Sequence, residues 1–296
     1  MKILLLGKNG QVGWELQRSL APVGELIALD SRSTDYCGDL ANLSGLLEMV
    51  DRIRPDVIVN AAAYTAVDKA ESEVDQARLV NATAPGVLAE AAKRHDALLV
   101  HYSTDYVFDG SGSAPRQETD PVAPPNMYGQ TKLEGEQLIA AQAGKHLIFR
   151  TSWVYAARGN NFAKTMLRLA KERDSLNIIN DQHGAPTGAE LIADVTAHAI
   201  RRTVMNPELS GLYHLVATGE TTWFDYARFV IEHARAAGMP IKVNTDDIAP
   251  VPTSAFPTPA KRPLNSRLST IRLQNTFDLV LPPWERGVER MLTEIL

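Results

Sequence analysis

The chain has 296 residues, 45% of them hydrophobic and 22% charged, with a formal net charge of −5. That is enough apolar material for one large domain or two smaller ones, and the acidic balance removes any general electrostatic reason to seek nucleic acid or an anionic membrane. The single cysteine, Cys37, excludes an internal disulfide and suits a reducing compartment, and the seven histidines have no metal-ligand spacing. The opening "MKILLLGKNG" carries an apolar run of four residues before a glycine turn. A signal peptide needs more, and a membrane span needs about 20 apolar residues, so a soluble cytoplasmic protein is expected.

Short apolar runs at 2–6, 26–30, 56–60, 98–103 and 147–152 lack strict polar alternation and predict strands covered on both faces. Between them, helical patterns fall at 11–20, 43–54, 66–94 (with a break at Ala84-Pro85) and 128–143. Strand–helix units of this length predict an α/β fold, a doubly wound parallel Rossmann-type sheet occupying residues 1–152. Beyond it the pattern is less regular, with helices at 161–173, 189–205, 222–237 and 284–295 and a short strand at 212–216. Residues 153–296 are expected to be a smaller, mainly substrate-binding region with some segments packing back on the first domain. The proline-rich stretch 248–263 predicts an ordered, extended loop lining a site.

"LLLGKNGQVG" sets Gly7, Gly10 and Gly13 at the junction of the first strand and first helix. Glycines there permit a tight turn, a close backbone approach to a pyrophosphate and close helix–sheet packing, while the helix N-terminus offers free N–H groups to phosphate. Asp30 ends the second strand, 23 residues after Gly7, where a carboxylate can accept from adenosine ribose hydroxyls or simply start a turn. Asp30 favours NADH, whereas Arg32 could accommodate the 2′-phosphate of NADPH, so both cofactors stay open. Asp39 and Leu40 bring a second candidate pair to the adenine side. The alanines of "NAAAYT" (60–65) leave room for a flat group or pack as small residues.

"NMYGQTKLEGEQ" (126–137) places Tyr128 one helical turn ahead of Lys132, on the same helical face. Such a pair occurs by chance on many solvated helices. Its position after a dinucleotide-type turn and a Ser-Thr pair at the end of the 98–103 run favours chemistry over decoration.

With "LLLGKNGQVG", "NAAAYT", "HYSTDYVFDG" and "YGQTK" in place, the chain resembles the extended short-chain dehydrogenase/reductases, and within them the dTDP-4-dehydrorhamnose reductases. The likeness continues through "FRTSWVYA", "GNNFAKTML", "DQHGAPTGAEL", "GLYHLVA" and "RPLNSRL", nearly the whole chain. It implies NADPH- or NADH-dependent reduction of the 4-keto group of dTDP-6-deoxy-L-lyxo-4-hexulose to dTDP-L-rhamnose, for bacterial surface polysaccharide. The implied catalytic set is Thr104, Tyr128 and Lys132. Tyr128 would donate the proton, Lys132 would favour phenolate and bind the nicotinamide ribose, and Thr104 would orient the carbonyl. Implied cofactor contacts are Gly10, Gln11, Val12, Asp30, Asp39, Leu40, Ala63, Tyr64, Thr65 and Tyr102. Implied sugar-nucleotide contacts are Thr104, Asp105 and Trp153, the last also a candidate for plain core packing. The resemblance further implies a homodimer and a magnesium ion, for which Glu190 and Glu289 are candidates only as carboxylates on predicted helices. His183 and His214 have no partner by spacing and are expected to be structural. The alternatives are a nucleotide-sugar epimerase or dehydratase of the same fold, or a non-catalytic NAD(P)-binding regulatory subunit. A dehydratase needs an acid after Asp105, where Tyr106 stands, and an intact Thr-Tyr-Lys set argues against the regulatory subunit.

Overall fold

The computed structural model describes residues 1–142 and 144–296. Its centre is a sheet of six parallel strands, β1 (Lys2–Leu6), β2 (Glu25–Leu29), β3 (Val57–Asn60), β4 (Leu98–Thr104), β5 (His146–Thr151) and β6 (Gly211–His214), in the order β6-β5-β4-β3-β1-β2. The longer helices are α1 (Gln11–Leu20), α2 (Leu43–Ile53), α3 (Ala84–Arg94), α4 (Met127–Ala141), α5 (Phe162–Glu172), α6 (Ala189–Met205), α7 (Trp223–Ala236) and α8 (Trp284–Ile295).

Successive side chains of a strand point to opposite faces, and here both faces are covered. Ile3 and Leu5 pack with Leu16 and Leu20 of α1 and with Ile192 and Val195 of α6. Leu4 and Leu6 pack on the other face with Leu46 and Val50 of α2 and Leu88 of α3. This two-sided burial is why the strands read as unbroken apolar runs. Strand β1 has β2 on one side and β3 on the other. The chain therefore reverses its winding there, and a crevice opens at the carboxyl ends of the strands.

The second half contributes to the same sheet, since β6 pairs in parallel with β5 through Tyr213↔Phe149. Helices α5, α7 and α8 gather around a separate core of Tyr155, Tyr226, Trp284 and Val288. No helix among the described residues is long and apolar enough to cross a membrane.

Three expectations need correction or limits. The helical stretch 66–94 breaks not at Ala84-Pro85 but between the short helices Val67–Ala70 and Val74–Arg78. A π-helical turn, Leu79–Thr83, runs straight into α3, and Pro85 lies in that helix's first turn, where its missing N–H is tolerated. The proline-rich stretch begins as a strand, Ile248–Val251, paired in parallel with Leu176–Ile179. Proline is admissible there because the pair is an isolated two-stranded ribbon with open edges. The expected end of α4 at residue 143 lies outside the described residues.

Candidate functional site

At the crevice the first turn is built as its glycines require. Gly7 has φ +87°, a conformation that favours glycine, and a Cβ on it would sit 2.7 Å from the Ala62 nitrogen. A Cβ on Gly13 would fall 2.0 Å from the Gly7 carbonyl oxygen, so α1 can approach the turn only with glycine there. The N-terminus of α1 is capped by Gly10 without a side-chain hydrogen bond, which leaves its N–H groups for an anion.

The turn forms one end of a cavity of about 610 Å³. Gly7, Gly10, Gln11, Val12, Asp30, Asp39, Leu40, Ala63, Thr65, Tyr102, Tyr128 and Lys132 all line it. It adjoins a hollow of about 460 Å³ that shares Ser31, Gly38 and Asp39 and is walled by Arg52. At the junction, Asp30 Oδ1 accepts from the Arg32 N–H at 3.0 Å and from Ser33 Oγ at 3.1 Å, while Oδ2 accepts from Asn9 Nδ2. Partial desolvation pushes the carboxyl up, but the Arg32 N–H, Ser33, the Lys8 charge and Asn9 together hold it below the usual range. An ionised Asp30 repels a 2′-phosphate and accepts from a 2′-hydroxyl. Asp30→Ala should therefore weaken NADH binding roughly ten-fold while sparing NADPH, as measured by fluorescence titration. Equal losses for both cofactors would leave Asp30 a turn residue.

At the other end stand Tyr128 and Lys132, one turn apart on α4, whose N-cap Asn126 accepts from the Gly129 N–H at 2.8 Å. Lys132 is 1% exposed. Its Nζ donates to the Tyr102 carbonyl at 2.5 Å and lies 3.1 Å from His101 Nε2. Burial lowers it to about 8, against the opposing Glu136 charge. The Tyr128 phenol moves up, driven first by burial and then by the Asp105 charge, with the Thr104 hydroxyl drawing it back. The Lys132 nitrogen is held by the strand β4 backbone and by His101.

Thr104 and Asp105 do not line this cavity, although both act on the Tyr128 phenol. Thr104 Oγ1 donates to Asp105 Oδ1 at 3.1 Å and accepts from the Tyr106 N–H at 3.2 Å. Burial pushes the Asp105 carboxyl up to about 7, with Ser266 and Thr104 opposing. A carboxyl raised on folding contributes stability below its ordinary range and loses it as pH climbs through the folded value. Relative to wild type, Asp105→Asn should gain stability between about pH 4 and pH 7 in urea denaturation. A pH-independent difference would mean that Asp105 is not shifted.

Other expected residues are placed elsewhere. Gly13 supports the turn from behind. The Tyr64 hydroxyl donates to Glu73 Oε2 at 2.6 Å, which pushes the phenol up to about 12, and its side chain is off the cavity. Only the Tyr64 backbone is tied to the site, through Asn81 of the π turn, at 2.9 Å from its N–H and 3.0 Å from its carbonyl. Tyr102 lines the cavity, yet its hydroxyl pairs with Thr196 Oγ1 of α6 at 2.8 Å. Trp153 stacks on Trp223 with ring centroids 3.6 Å apart, its ring passing over Gly184. Its φ of +50° is strained for a large side chain. The proline-rich stretch does not line the cavity; its Lys261 carbonyl accepts from Asn126 Nδ2 at 2.8 Å, at the N-cap of α4, and Arg262 donates to Asp68 at 2.7 Å. His214 is buried with Nδ1 3.1 Å from the Arg116 carbonyl, and burial lowers it to about 3.

Glu190 lines a separate hollow of about 240 Å³, raised by burial, with Glu15 and Glu294 adding to the shift. Glu289 faces His233 Nε2 at 3.4 Å. Among the described residues no three His, Cys, Asp or Glu side chains group closely enough to hold a metal.

Three buried hydroxyls at the ends of β4 and β5 lack a protein partner: Ser103 Oγ, Thr151 Oγ1 and Ser152 Oγ. Buried polar groups are ordinarily paired, so their concentration beside Tyr128 fits a site for a polar ligand. The residues that sequence reasoning missed are Asn60 and His101. Their only signal was polarity inside strands otherwise apolar, "DVIVN" and "LLVHYS".

The family description "RmlD substrate binding domain" matches residues 1–296. The chain belongs to the dTDP-4-dehydrorhamnose reductase family. It is 63% identical over 295 residues to the dTDP-4-dehydrorhamnose reductase of Salmonella typhimurium, covering 100% of this chain and 98% of that one. The Escherichia coli K12 reductase of that name gives the same identity and coverage. Among solved structures, the Bacillus anthracis dTDP-4-dehydrorhamnose reductase in complex with NADP superposes with a TM-score of 0.87 at 37% identity, covering 99% of both chains. A Thermus thermophilus UDP-glucose 4-epimerase shares the fold, with a TM-score of 0.77 at 18% identity and full coverage of both chains.

Proposed function

We propose that this protein reduces the 4-keto group of dTDP-6-deoxy-L-lyxo-4-hexulose to dTDP-L-rhamnose, with NADPH or NADH as hydride donor. The observation that carries the reading is one continuous cavity joining the glycine turn to Tyr128 and Lys132, in a chain of this family along its whole length.

The residues present fit a dinucleotide. Gly7 and Gly13 let the turn pack closely against the loop that follows β3 and against α1, Gly7 and Gly10 line the cavity, the N-terminus of α1 offers unpaired N–H groups, and Asp30 and Asp39 stand at the adenosine end. When bound, the nicotinamide supplies the hydride to the sugar C4. Tyr128 donates its phenolic proton to the C4 oxygen as charge develops there. Burial and the Asp105 charge both hold that phenol in its protonated, donating form. Thr104 and Asp105, bonded to each other, both act on the phenol, and the unpaired hydroxyls of Ser103, Thr151 and Ser152 are available to the sugar nucleotide.

Tyr106 occupies the position where a dehydratase needs a further acid, and its ring meets the Tyr128 ring edge-on at 5.6 Å. That position supplies an aromatic wall and a phenol, not the carboxylic acid that water elimination calls for. The residues around Glu190 and Glu289 do not make a magnesium site within one chain, and no step here runs through that ion. A homodimer working in the cytoplasm completes the reading, and sedimentation equilibrium would test the former. The function itself is tested by following NADPH oxidation with the keto-sugar nucleotide. Stoichiometric oxidation with dTDP-L-rhamnose as product supports it. Substrate conversion without net NADPH oxidation would mean an epimerase.

A further inference from the structure

Trp153 is strained at a place where core packing does not ask for it. A φ of +50° is rare for a bulky side chain and persists only where the surroundings fix it. The residue is half-buried and stands outside the apolar cluster that takes in Phe162, Trp223 and Tyr226. Nearby in the chain, Thr151 and Val154 line the dinucleotide cavity, whereas Trp153 does not. Its indole borders a different gap. A Cβ on Gly184 would lie 2.8 Å from Trp153 Cε2 and 3.2 Å from Ser266 Cβ, so the ring and Ser266 are neighbours there. Ser266 acts on Asp105 through its hydroxyl, and Asp105 acts on the Tyr128 phenol. The ring therefore stands toward the reacting end of the site.

A directed chain of contacts holds it. Trp223, the first residue of α7, lies flat against the Trp153 ring, with centroids 3.6 Å and planes 16° apart. An indole N–H can only donate, and that of Trp223 donates to Gln182 Oε1 at 3.0 Å. This orients the Gln182 amide, whose Nε2 donates to Thr253 Oγ1 at 3.0 Å. The Thr253 hydroxyl donates to Asp181 Oδ1 at 2.6 Å, and its N–H reaches the same oxygen at 2.9 Å. Gln182 is 4% exposed, so water does not replace a lost partner. We propose that Trp223 and Gln182 are positioning residues that hold Trp153 as a fixed wall for the sugar nucleotide. The strained backbone aims the indole, the Trp223 face stops it turning away, and Gln182 keeps Trp223 in place. A wall set in advance spares the ligand the cost of ordering a loose indole on binding. That the wall meets a sugar nucleotide rests on the reductase reading; that the ring is held does not.

The test does not depend on turnover. Labelling with 5-fluorotryptophan gives the four tryptophans ¹⁹F resonances, and that of Trp153 is assigned by its loss in Trp153→Phe. Gln182→Met removes the acceptor of the Trp223 N–H and touches neither ring, so the Trp153 resonance should shift or broaden. Calorimetric titration with dTDP-L-rhamnose at saturating NADP⁺ should show affinity weakened about ten-fold in Gln182→Met and in Trp223→Leu, with NADP⁺ affinity within about two-fold of wild type. Trp223→Phe keeps a ring against Trp153 and should bind dTDP-L-rhamnose more tightly than Trp223→Leu. Whichever of the variants folds carries the affinity test. A Trp153 resonance unmoved in Gln182→Met, an unchanged affinity for dTDP-L-rhamnose, or an equal loss for NADP⁺ overturns the proposal. A wild type that binds dTDP-L-rhamnose but oxidises no NADPH with the keto-sugar nucleotide sinks the reductase reading alone, and one that does not bind it sinks both.

Discussion

Tyr128→Phe is expected to lower turnover by about 10²–10⁴-fold, the usual contribution of general acid catalysis, with dinucleotide affinity and folding intact. The substitution removes one oxygen and keeps the ring, which packs edge-on against Tyr106. Neither the glycine turn nor Asp30 is touched. Steady-state kinetics with a cofactor titration check this, and kcat and kcat/KM should fall together, because the lost interaction exists only in the transition state. A fall in cofactor affinity with unchanged kcat would make Tyr128 a wall of the cavity.

Arg150→Met should be the most destabilising of these substitutions, by roughly 3–5 kcal/mol in urea denaturation. Arg150 holds Glu136 through two hydrogen bonds, with both side chains about 95% buried (4% and 5% exposed). Truncation leaves the carboxylate of Glu136, on the buried face of α4, without a partner in the interior. Replacing both together, as Arg150→Met with Glu136→Leu, should recover much of the loss, because the isolated charge is what destabilises. A single variant as stable as wild type would mean that Glu136 finds another partner, and the Lys132 charge, already coupled to it, is a candidate.

The parallel sheet was legible because strands buried on both faces cannot alternate, and Ile3, Leu4, Leu5 and Leu6 show that directly. The glycine turn was legible because its Cβ clashes leave no other residue at Gly7 and Gly13. What was hidden depends on contacts distant in sequence. Nothing around Tyr64 shows that its hydroxyl goes to Glu73 while its backbone is held by Asn81. Nothing in "YGQTK" shows that the Lys132 nitrogen is claimed by His101, 31 residues away, rather than by the phenol. Pro85 misled because proline ends a helix in its interior but is harmless in a first turn, and only the π turn before it makes that position a first turn.

On the proposed mechanism a nicotinamide hydride arrives at the sugar C4 while Tyr128 protonates the oxygen. NADPH deuterated at the transferable C4 position is supplied with the unlabelled keto-sugar nucleotide, and the product is analysed by mass spectrometry and NMR. dTDP-L-rhamnose should carry one deuterium at sugar C4 for each NADPH consumed. Unlabelled product, or label at any other carbon, would contradict it.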